Sequence, residues 1–334
     1  MRSYGVHDSK YGLTIDNLKQ VSIVTADGSI LTANDTENAD LFWAIRGGGS
    51  NFGVVTEFVF DLHPQRRTIF AGMTFFTPDK LASITEVTKT WYANTKENEG
   101  VSLATLITPQ GFPAVGVVLF YNGPEEEGRA NFKAYYDIGP VMDFAKEIPF
   151  EQLNALTNAV VPAGGCYYLR GFSHKGPDFG CTFRALQKVG EVAKGGVFTP
   201  SVLFEYLPVS KINSVTTSAT AFRRQTAPNV LVMLKWDGSA PEKTYEARGI
   251  VTEIADIFAS SQDGLSDSEK LGYVNYGHDI DAVPTLPLSH PSMAHVASRA
   301  ELVFGSNYPR LQGIKKKYDP DNLFNRWYPI VPSA

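Results

Sequence analysis

The densest gathering of reactive side chains is Gly272-Tyr273-Val274-Asn275-Tyr276-Gly277-His278-Asp279, which sets phenols, an amide, an imidazole and a carboxylate side by side. Such groups offer acid–base chemistry and hydrogen-bond donors. In an extended segment Tyr273 and Asn275 would share one face and Tyr276 would take the other. The plainer reading is an amphipathic strand with half-buried tyrosines. A second constellation is Arg46-Gly47-Gly48-Gly49-Ser50-Asn51-Phe52-Gly53. Consecutive glycines let backbone amides approach a phosphate and form an anion-binding nest. The competing reading is a tight connection from a helix to a buried strand. It is not the dinucleotide fingerprint G-x-G-x-x-G opening a helix, because a strand follows. A third, Tyr11-Gly12-Leu13-Thr14-Ile15-Asp16-Asn17-Leu18, reads as a loop entering a strand, with Asp16 and Asn17 serving local backbone groups. The fourth runs from Asn307-Tyr308-Pro309-Arg310-Leu311 through Lys315-Lys316-Lys317-Tyr318-Asp319-Pro320 and reads as a C-terminal helix with a solvated basic face. The histidines are scattered without metal-ligand spacing. No G-x-S-x-G elbow is present, so hydrolase and metalloenzyme readings lack a carrier.

The elements that must position these groups alternate between strands and helices. Val21 to Thr25 and Ile30 to Ala33 flank Asp27-Gly28, a hairpin signal. Leu41-Phe42-Trp43-Ala44-Ile45 reads as a helical turn with Asn or Asp before it as cap, ended by the glycine run. Phe52 to Phe60 resumes as a strand that Pro64 closes. Thr77-Pro78 marks a helix start, with Leu81, Ile84, Val87 and Trp91 at helical spacing. Val101 to Thr108 and Ala114 to Tyr121 are strands, as are Val202 to Tyr206 and Val230 to Trp236. Pro124-Glu125-Glu126-Glu127 opens a helix with acids at its positive end. Cys181 to Lys194, Pro241 to Ser260 and Leu311 to Tyr318 are further helices. This order predicts an α+β fold with helices covering an antiparallel sheet.

Composition narrows the partners. Of 334 residues, 43% are hydrophobic and 19% charged, which are globular and not disordered proportions. The net charge of −5 and the lack of a long basic run argue against a nucleic-acid partner. No apolar run reaches membrane-spanning length, so no membrane partner is expected. Two cysteines, Cys166 and Cys181, are too few for a disulfide framework; one bridge or none is compatible with the sequence. Met1-Arg2-Ser3-Tyr4-Gly5-Val6 has no apolar core of a signal peptide.

Taken together, these motifs resemble the berberine-bridge branch of the vanillyl-alcohol-oxidase, or PCMH-type, flavoproteins. The blocks that carry the resemblance occur in the family's order. They are Tyr11 to Asn17, Val24-Thr25-Ala26-Asp27-Gly28, Asp40 to Thr56, Tyr273-Val274-Asn275-Tyr276, and Asn307-Tyr308 with Arg310-Leu311 leading to Lys317 through Phe324. The span from about 65 to 265 matches in texture only; Ala219-Thr220-Ala221-Phe222-Arg223-Arg224 is a weak echo. The resemblance implies a partial PCMH-type FAD-binding domain with an inserted antiparallel-sheet substrate domain covered by helices. Residues 1–65 would be the C-terminal part of the FAD domain and 66–299 the substrate domain. Residues 300–334 would return to the flavin. It implies FAD as cofactor, seated by Tyr11, Gly12, Leu13, Asp16, Asn17, Gly53, Val54, Val55, Asn322 and Phe324. It places Tyr273, Asn275 and Tyr276 at the substrate.

The implied chemistry is oxidation of an alcohol, in a sugar or a phenolic or alkaloid-type small molecule, by hydride transfer to flavin with O2 as acceptor. Tyr273 is the expected base, a role that needs its pKa well below the usual ~10. Asn275 and Tyr276 would orient substrate or flavin. Departures from the family pattern are also legible. The glycine-rich stretch, the pyrophosphate loop and the flavin-bonding histidine and cysteine that precede Tyr4-Gly5 in the family have no counterpart here. His7, Cys166 and Cys181 do not match those residues, so FAD is expected to be non-covalent at best. Gly277-His278-Asp279 is one residue longer than the family's run. A half flavin domain should expose a sheet edge and apolar surface. The family is often secreted, and location stays open, as does oligomeric state. Two function classes remain: an FAD-dependent oxidoreductase, or a truncated or degenerate non-catalytic relative that binds a small molecule or acts as a scaffold.

Overall fold

The structure is a computed structural model that describes residues 8–108, 110–156, 158, 161–224, 227–276 and 299–334. His7 and Gly277-His278-Asp279 lie outside the described residues. The first sheet contains β1 (Leu18–Val24), β2 (Ile30–Asn34) and β3 (Val54–Phe60) in the order β2-β1-β3, all antiparallel. The Asp-Gly turn forms the expected hairpin. Asp27 accepts from the Thr25 hydroxyl at 2.7 Å and from the Ser29 amide at 3.1 Å. Helix α1 (Ala39–Gly48) buries Leu41, Phe42, Trp43, Ala44 and Ile45. Its start departs from the expectation of a side-chain cap. Asn38 is left-handed at φ 46°, and its amide donates to Thr32 O at 2.8 Å, tying the helix to β2. Helical geometry is lost at Arg46 and Gly47. A Cβ on Gly47 would overlap the backbone nitrogen of Phe222, so glycine here permits close packing. That favours the tight-connection reading of the glycine run.

The larger sheet is antiparallel, in the order β7-β4-β6-β5-β10-β11-β9, with β8 also pairing β4. Its strands are β4 (Thr68–Phe76), β5 (Glu99–Ile107), β6 (Pro113–Tyr121), β7 (Met142–Asp143), β8 (Lys146–Pro149), β9 (Cys166–Ser173), β10 (Thr199–Tyr206) and β11 (Asn229–Trp236). One face is covered by α2 (Leu81–Tyr92), α3 (Phe179–Lys194) and α4 (Thr244–Asp256). Ile84, Val189 and Val251 from these helices join Val117, Val202 and Val232 in one core. This is the expected α+β arrangement.

The last long helix, α5 (Tyr308–Tyr318), packs Leu311 and Ile314 against Leu41 and Phe42 in a second core. Here the expectation of a solvated basic face fails at one lysine. Lys315 and Asp319 are both fully buried and paired at 2.5 Å. The ammonium also donates to Asn51 O at 2.7 Å and Phe324 O at 2.6 Å. A buried charge must be paired and hydrogen-bonded, and this one fastens three chain segments together. Lys317, by contrast, stays exposed and pairs with Asp40. Both cysteines are free thiols, Cys181 buried and Cys166 half-buried.

Candidate functional site

The Tyr-x-Asn-Tyr segment is not extended. Val274–Tyr276 is a 3-10 turn, closed by Tyr276 N donating to Tyr273 O at 3.0 Å. The cause lies just before it. Gly272 has φ 61° and passes so close to Phe172 that a Cβ would sit 2.5 Å from that residue's carbonyl carbon. The chain thus turns over β9 instead of running beside it. In a 3-10 helix residues i and i+3 eclipse, so Tyr273 and Tyr276 fall together and not on opposite faces. Their rings meet edge to face at 4.9 Å. Asn275 Nδ2 donates to Tyr273 OH at 2.7 Å, and Tyr273 N donates to Asn229 Oδ1 at 2.9 Å.

Tyr276 lies over Gly171 of β9, where a Cβ would come 2.6 Å from its own Cβ. From there its hydroxyl donates to Glu205 Oε1 at 2.7 Å. Glu205 was not among the residues singled out from the sequence. Its signal was present: one carboxylate inside the apolar strand Val202-Leu203-Phe204-Glu205-Tyr206. Val202, Phe204 and Tyr206 belong to the helix-side core, so alternation turns Glu205 to the opposite face. Burial raises its carboxyl to about 7, against the lowering effect of hydrogen bonds from Tyr276 and Asn229. A buried carboxyl hydrogen-bonded to a phenol is a pairing through which a proton can pass.

Register defines the rest of this face. Asn229, Glu205, Ser102, Val118 and Met73 are successive partners across β11, β10, β5, β6 and β4. The neighbouring row runs Gly171, Leu231, Leu203, Ala104, Gly116 and Phe75. On the helix side of the same sheet His174 is buried with its ring 5.7 Å from those of Phe204 and Tyr206. Burial pushes its pKa down to about 4, and neither ring nitrogen has a hydrogen-bond partner among the described residues.

The residues expected around the flavin separate into three groups. Gly53 and Val55 line a hollow of about 240 Å³ together with Ile15, Gly49, Phe58 and Phe60. Val54 points outward, 56% exposed on the edge strand β3, which also shows Phe58 and Val59 to solvent. The loop of Tyr11, Gly12, Leu13, Asp16 and Asn17 is bonded to itself and its neighbours. Tyr11 donates to Pro64 O and stacks on His63 at 4.1 Å. Asn17 donates to Tyr11 O and Leu13 O, both at 3.0 Å. Asp16 takes the Leu13 amide at 2.9 Å and a bidentate Arg224 at 2.6 and 2.8 Å. Gly12 holds φ 78° above Asp16, and Leu13 is buried with Ile212 and Phe222. Asn322, left-handed at φ 54°, and Phe324 wrap the Lys315–Asp319 pair, where Phe324 N donates to Asp319 at 2.8 Å. The tail then reaches both sites: Arg326 O accepts from Ser50 at the hollow, and Tyr328 OH donates to Val274 O at 2.7 Å.

The hollow is the place where a portion of FAD is to be tested against these residues. Its largely apolar walls would suit a flat ring; a Cβ on Gly49 would meet nothing within 4 Å, whereas one on Gly53 would strike Val24 O. It is smaller than the roughly 300–1,000 Å³ of whole small-molecule sites, a volume for no more than a part of such a cofactor. The family described as "Berberine and berberine like" matches residues 272–330. The FAD-linked oxidoreductase pgmH of Aspergillus terreus is 32% identical over 97% of this chain and 66% of its own length; its counterpart in strain NIH 2624 is 30% identical over 97% and 67%. The chain spans about two thirds of the length of these curated relatives. Among solved structures, a berberine bridge enzyme variant in complex with (S)-reticuline superposes with a TM-score of 0.79 at 21% identity, over 100% of this chain and 69% of that one. The xylooligosaccharide oxidase from Myceliophthora thermophila C1 in complex with xylobiose gives 0.76 at 18%, over 100% and 70%. The sheet order, the two end blocks and these likenesses agree: the chain belongs to the berberine-bridge-like FAD-linked oxidoreductases.

Proposed function

We propose that this chain forms the substrate wall and part of the flavin seat of an FAD-dependent enzyme that oxidises an alcohol carbon of a small molecule. The observation that carries the reading is the Tyr276–Glu205 hydrogen bond, 2.7 Å long, with its carboxyl raised to about 7. FAD, when bound, would supply the acceptor for the hydride leaving the substrate carbon, with O2 as the proposed final acceptor. The substrate hydroxyl gives its proton to Tyr276, whose own proton passes to Glu205. That relay leaves a neutral phenol and a neutral carboxyl, with no charge stranded in a buried place. Tyr273, first expected as the base, braces the Tyr276 ring and is itself held by Asn275. Gly53 and Val55 flank the flavin ring in this reading, and the tail at Asn322 and Phe324 fixes the glycine run beside it.

The test is anaerobic flavin reduction in the chain loaded with FAD, followed at roughly 450 nm, where flavins absorb. Tyr276→Phe and Glu205→Gln should each slow reduction about 10²–10⁴-fold, the range for a positioned general base. Tyr273→Phe should slow it less. Unchanged reduction in both Tyr276→Phe and Glu205→Gln sinks the relay. A folded protein that stays colourless with added FAD sinks the enzymatic reading in favour of a non-catalytic binding protein.

A further inference from the structure

The tail passes from the hollow to the tyrosine turn in a backbone conformation that side chains disfavour. Trp327 and Tyr328 both stand in the left-handed region, at φ 55° and 56°. Neither is glycine, and such residues in succession carry strain. Strain of this kind persists where the surroundings hold the segment at more than one point. Tyr328 is held at both ends. The buried Asn51 side chain donates from Nδ2 to Gly48 O at 2.7 Å and to Tyr328 O at 3.3 Å. Its Oδ1 accepts from the amide of the buried Ile330 at 3.0 Å. Asn51 directly follows Gly49 and Ser50, which line the hollow. At its other end the Tyr328 hydroxyl donates to Val274 O at 2.7 Å. Val274 opens the 3-10 turn that brings Tyr276 to Glu205.

We propose that Tyr328 is a positioning residue, which with Asn51 forms a strap coupling the glycine run at the hollow to the placement of Tyr276. Its carbonyl is fastened to one place and its hydroxyl to the other, with a rigid buried ring between them. A shift of the glycine run is therefore passed to the turn, and a shift of the turn is passed back. An ordinary backbone angle at Trp327 or Tyr328 would re-aim the ring relative to the carbonyl, and one of the bonds would be lost. The left-handed pair is the geometry that the strap requires. Coupling through a packed, hydrogen-bonded element is reciprocal. Whatever settles the glycine run steadies Tyr276, and whatever fixes Tyr276 steadies the hollow. The strap rests on the function proposed above only in taking the hollow and the turn as parts of one site.

The experiment is hydrogen exchange of the full chain without FAD, followed at the Tyr276 amide, which closes the turn on Tyr273 O. The Phe42 amide, bonded to Asn38 O at 2.9 Å and buried in the same core as Tyr328, reports opening of that core as a whole. Tyr328→Phe removes one hydroxyl and should speed exchange at Tyr276 about three- to tenfold, the worth of one ordinary hydrogen bond. Asn51→Ala, at the other end of the strap, should speed it too. Both changes together should do no more than Tyr328→Phe alone, because the link is already cut. If Asn51→Ala does not fold, Gly49→Ala, whose methyl would meet nothing within 4 Å, takes its place in the same cycle. Exchange at Tyr276 indifferent to the hollow-side change overturns the strap, and so do effects that multiply in the double variant. Acceleration at Tyr276 no greater than at Phe42 overturns it as well, since that is general loosening. The measurement needs neither FAD nor turnover, so an inert flavin would refute the proposed function and leave the strap standing.

Discussion

Glu205 and His174 lie on opposite faces of the same sheet, and their titrations oppose each other in stability. Burial moves the Glu205 carboxyl from its ordinary 4.5 up to about 7. Its contribution to stability is therefore complete below pH 4.5 and is lost as pH rises toward 7. Burial moves the His174 imidazole from 6.5 down to about 4. Its contribution is complete above pH 6.5 and is lost as pH falls toward 4. Between about pH 4.5 and 6.5 folding takes up one proton at Glu205 and releases one at His174, so their slopes cancel. Each slope alone is ~1.36 kcal/mol per pH unit, or about 3 kcal/mol across that window. Glu205→Gln removes one side of the balance, and stability relative to the parent chain should then fall as pH drops from 6.5 to 4.5. His174→Phe removes the other, and relative stability should fall as pH rises over the same range. Urea unfolding at several pH values measures both, and subtracting the parent curve removes titrations common to all three chains. Relaxation around the buried groups trims the expected amplitude to about 1–3 kcal/mol. Flat difference curves for both variants, or slopes of the same sign, would refute the reasoning.

Lys315→Met strands the Asp319 carboxylate in the core with only the Leu323 and Phe324 amides for company. Loss of one partner of a buried pair costs about 3–5 kcal/mol, to be read as a lowered urea midpoint. Gly171→Ala forces the Tyr276 ring away from β9, because the new methyl would stand 2.6 Å from its Cβ. Flavin reduction should slow at least tenfold with little change in melting temperature, since misplacement of about 1 Å at a reacting group can cost ~10²-fold in rate.

Most of the fold was legible because its signals are local. The Asp-Gly hairpin, the strand pairs and the amphipathic helices announce themselves by turn chemistry and period. Four strands escaped, the short β7 and β8 and two long ones. β9 carries Arg170 and Gly171 in its middle and lies at the sheet's edge, so it lacks the alternation that marks a half-buried strand. β4 has Gly72 at its centre, pressed against Ala145, where a side chain should have kept the period. Lys315 was misread because burial of one lysine among three depends on an aspartate four residues on and on carbonyls from two remote segments. No helical periodicity encodes the arrival of Asn51.

The site was half legible for the same reason. The tyrosines stand in a short motif, but a phenol becomes useful only through what receives its proton. That partner is 71 residues away in sequence, on a strand whose composition looks wholly structural. What joins them is a chain of backbone events: Gly272 turns the chain over β9, the 3-10 turn aligns Tyr273 with Tyr276, and Gly171 leaves room for the ring. Each step is a matter of where the backbone can approach, and glycine is the only trace it leaves in sequence. Glu205 then bears the cost of burial, and that cost brings its pKa to about 7. A strand position that is expensive for a carboxylate, kept within reach of a fixed phenol, is the feature that the Tyr276→Phe and Glu205→Gln variants interrogate.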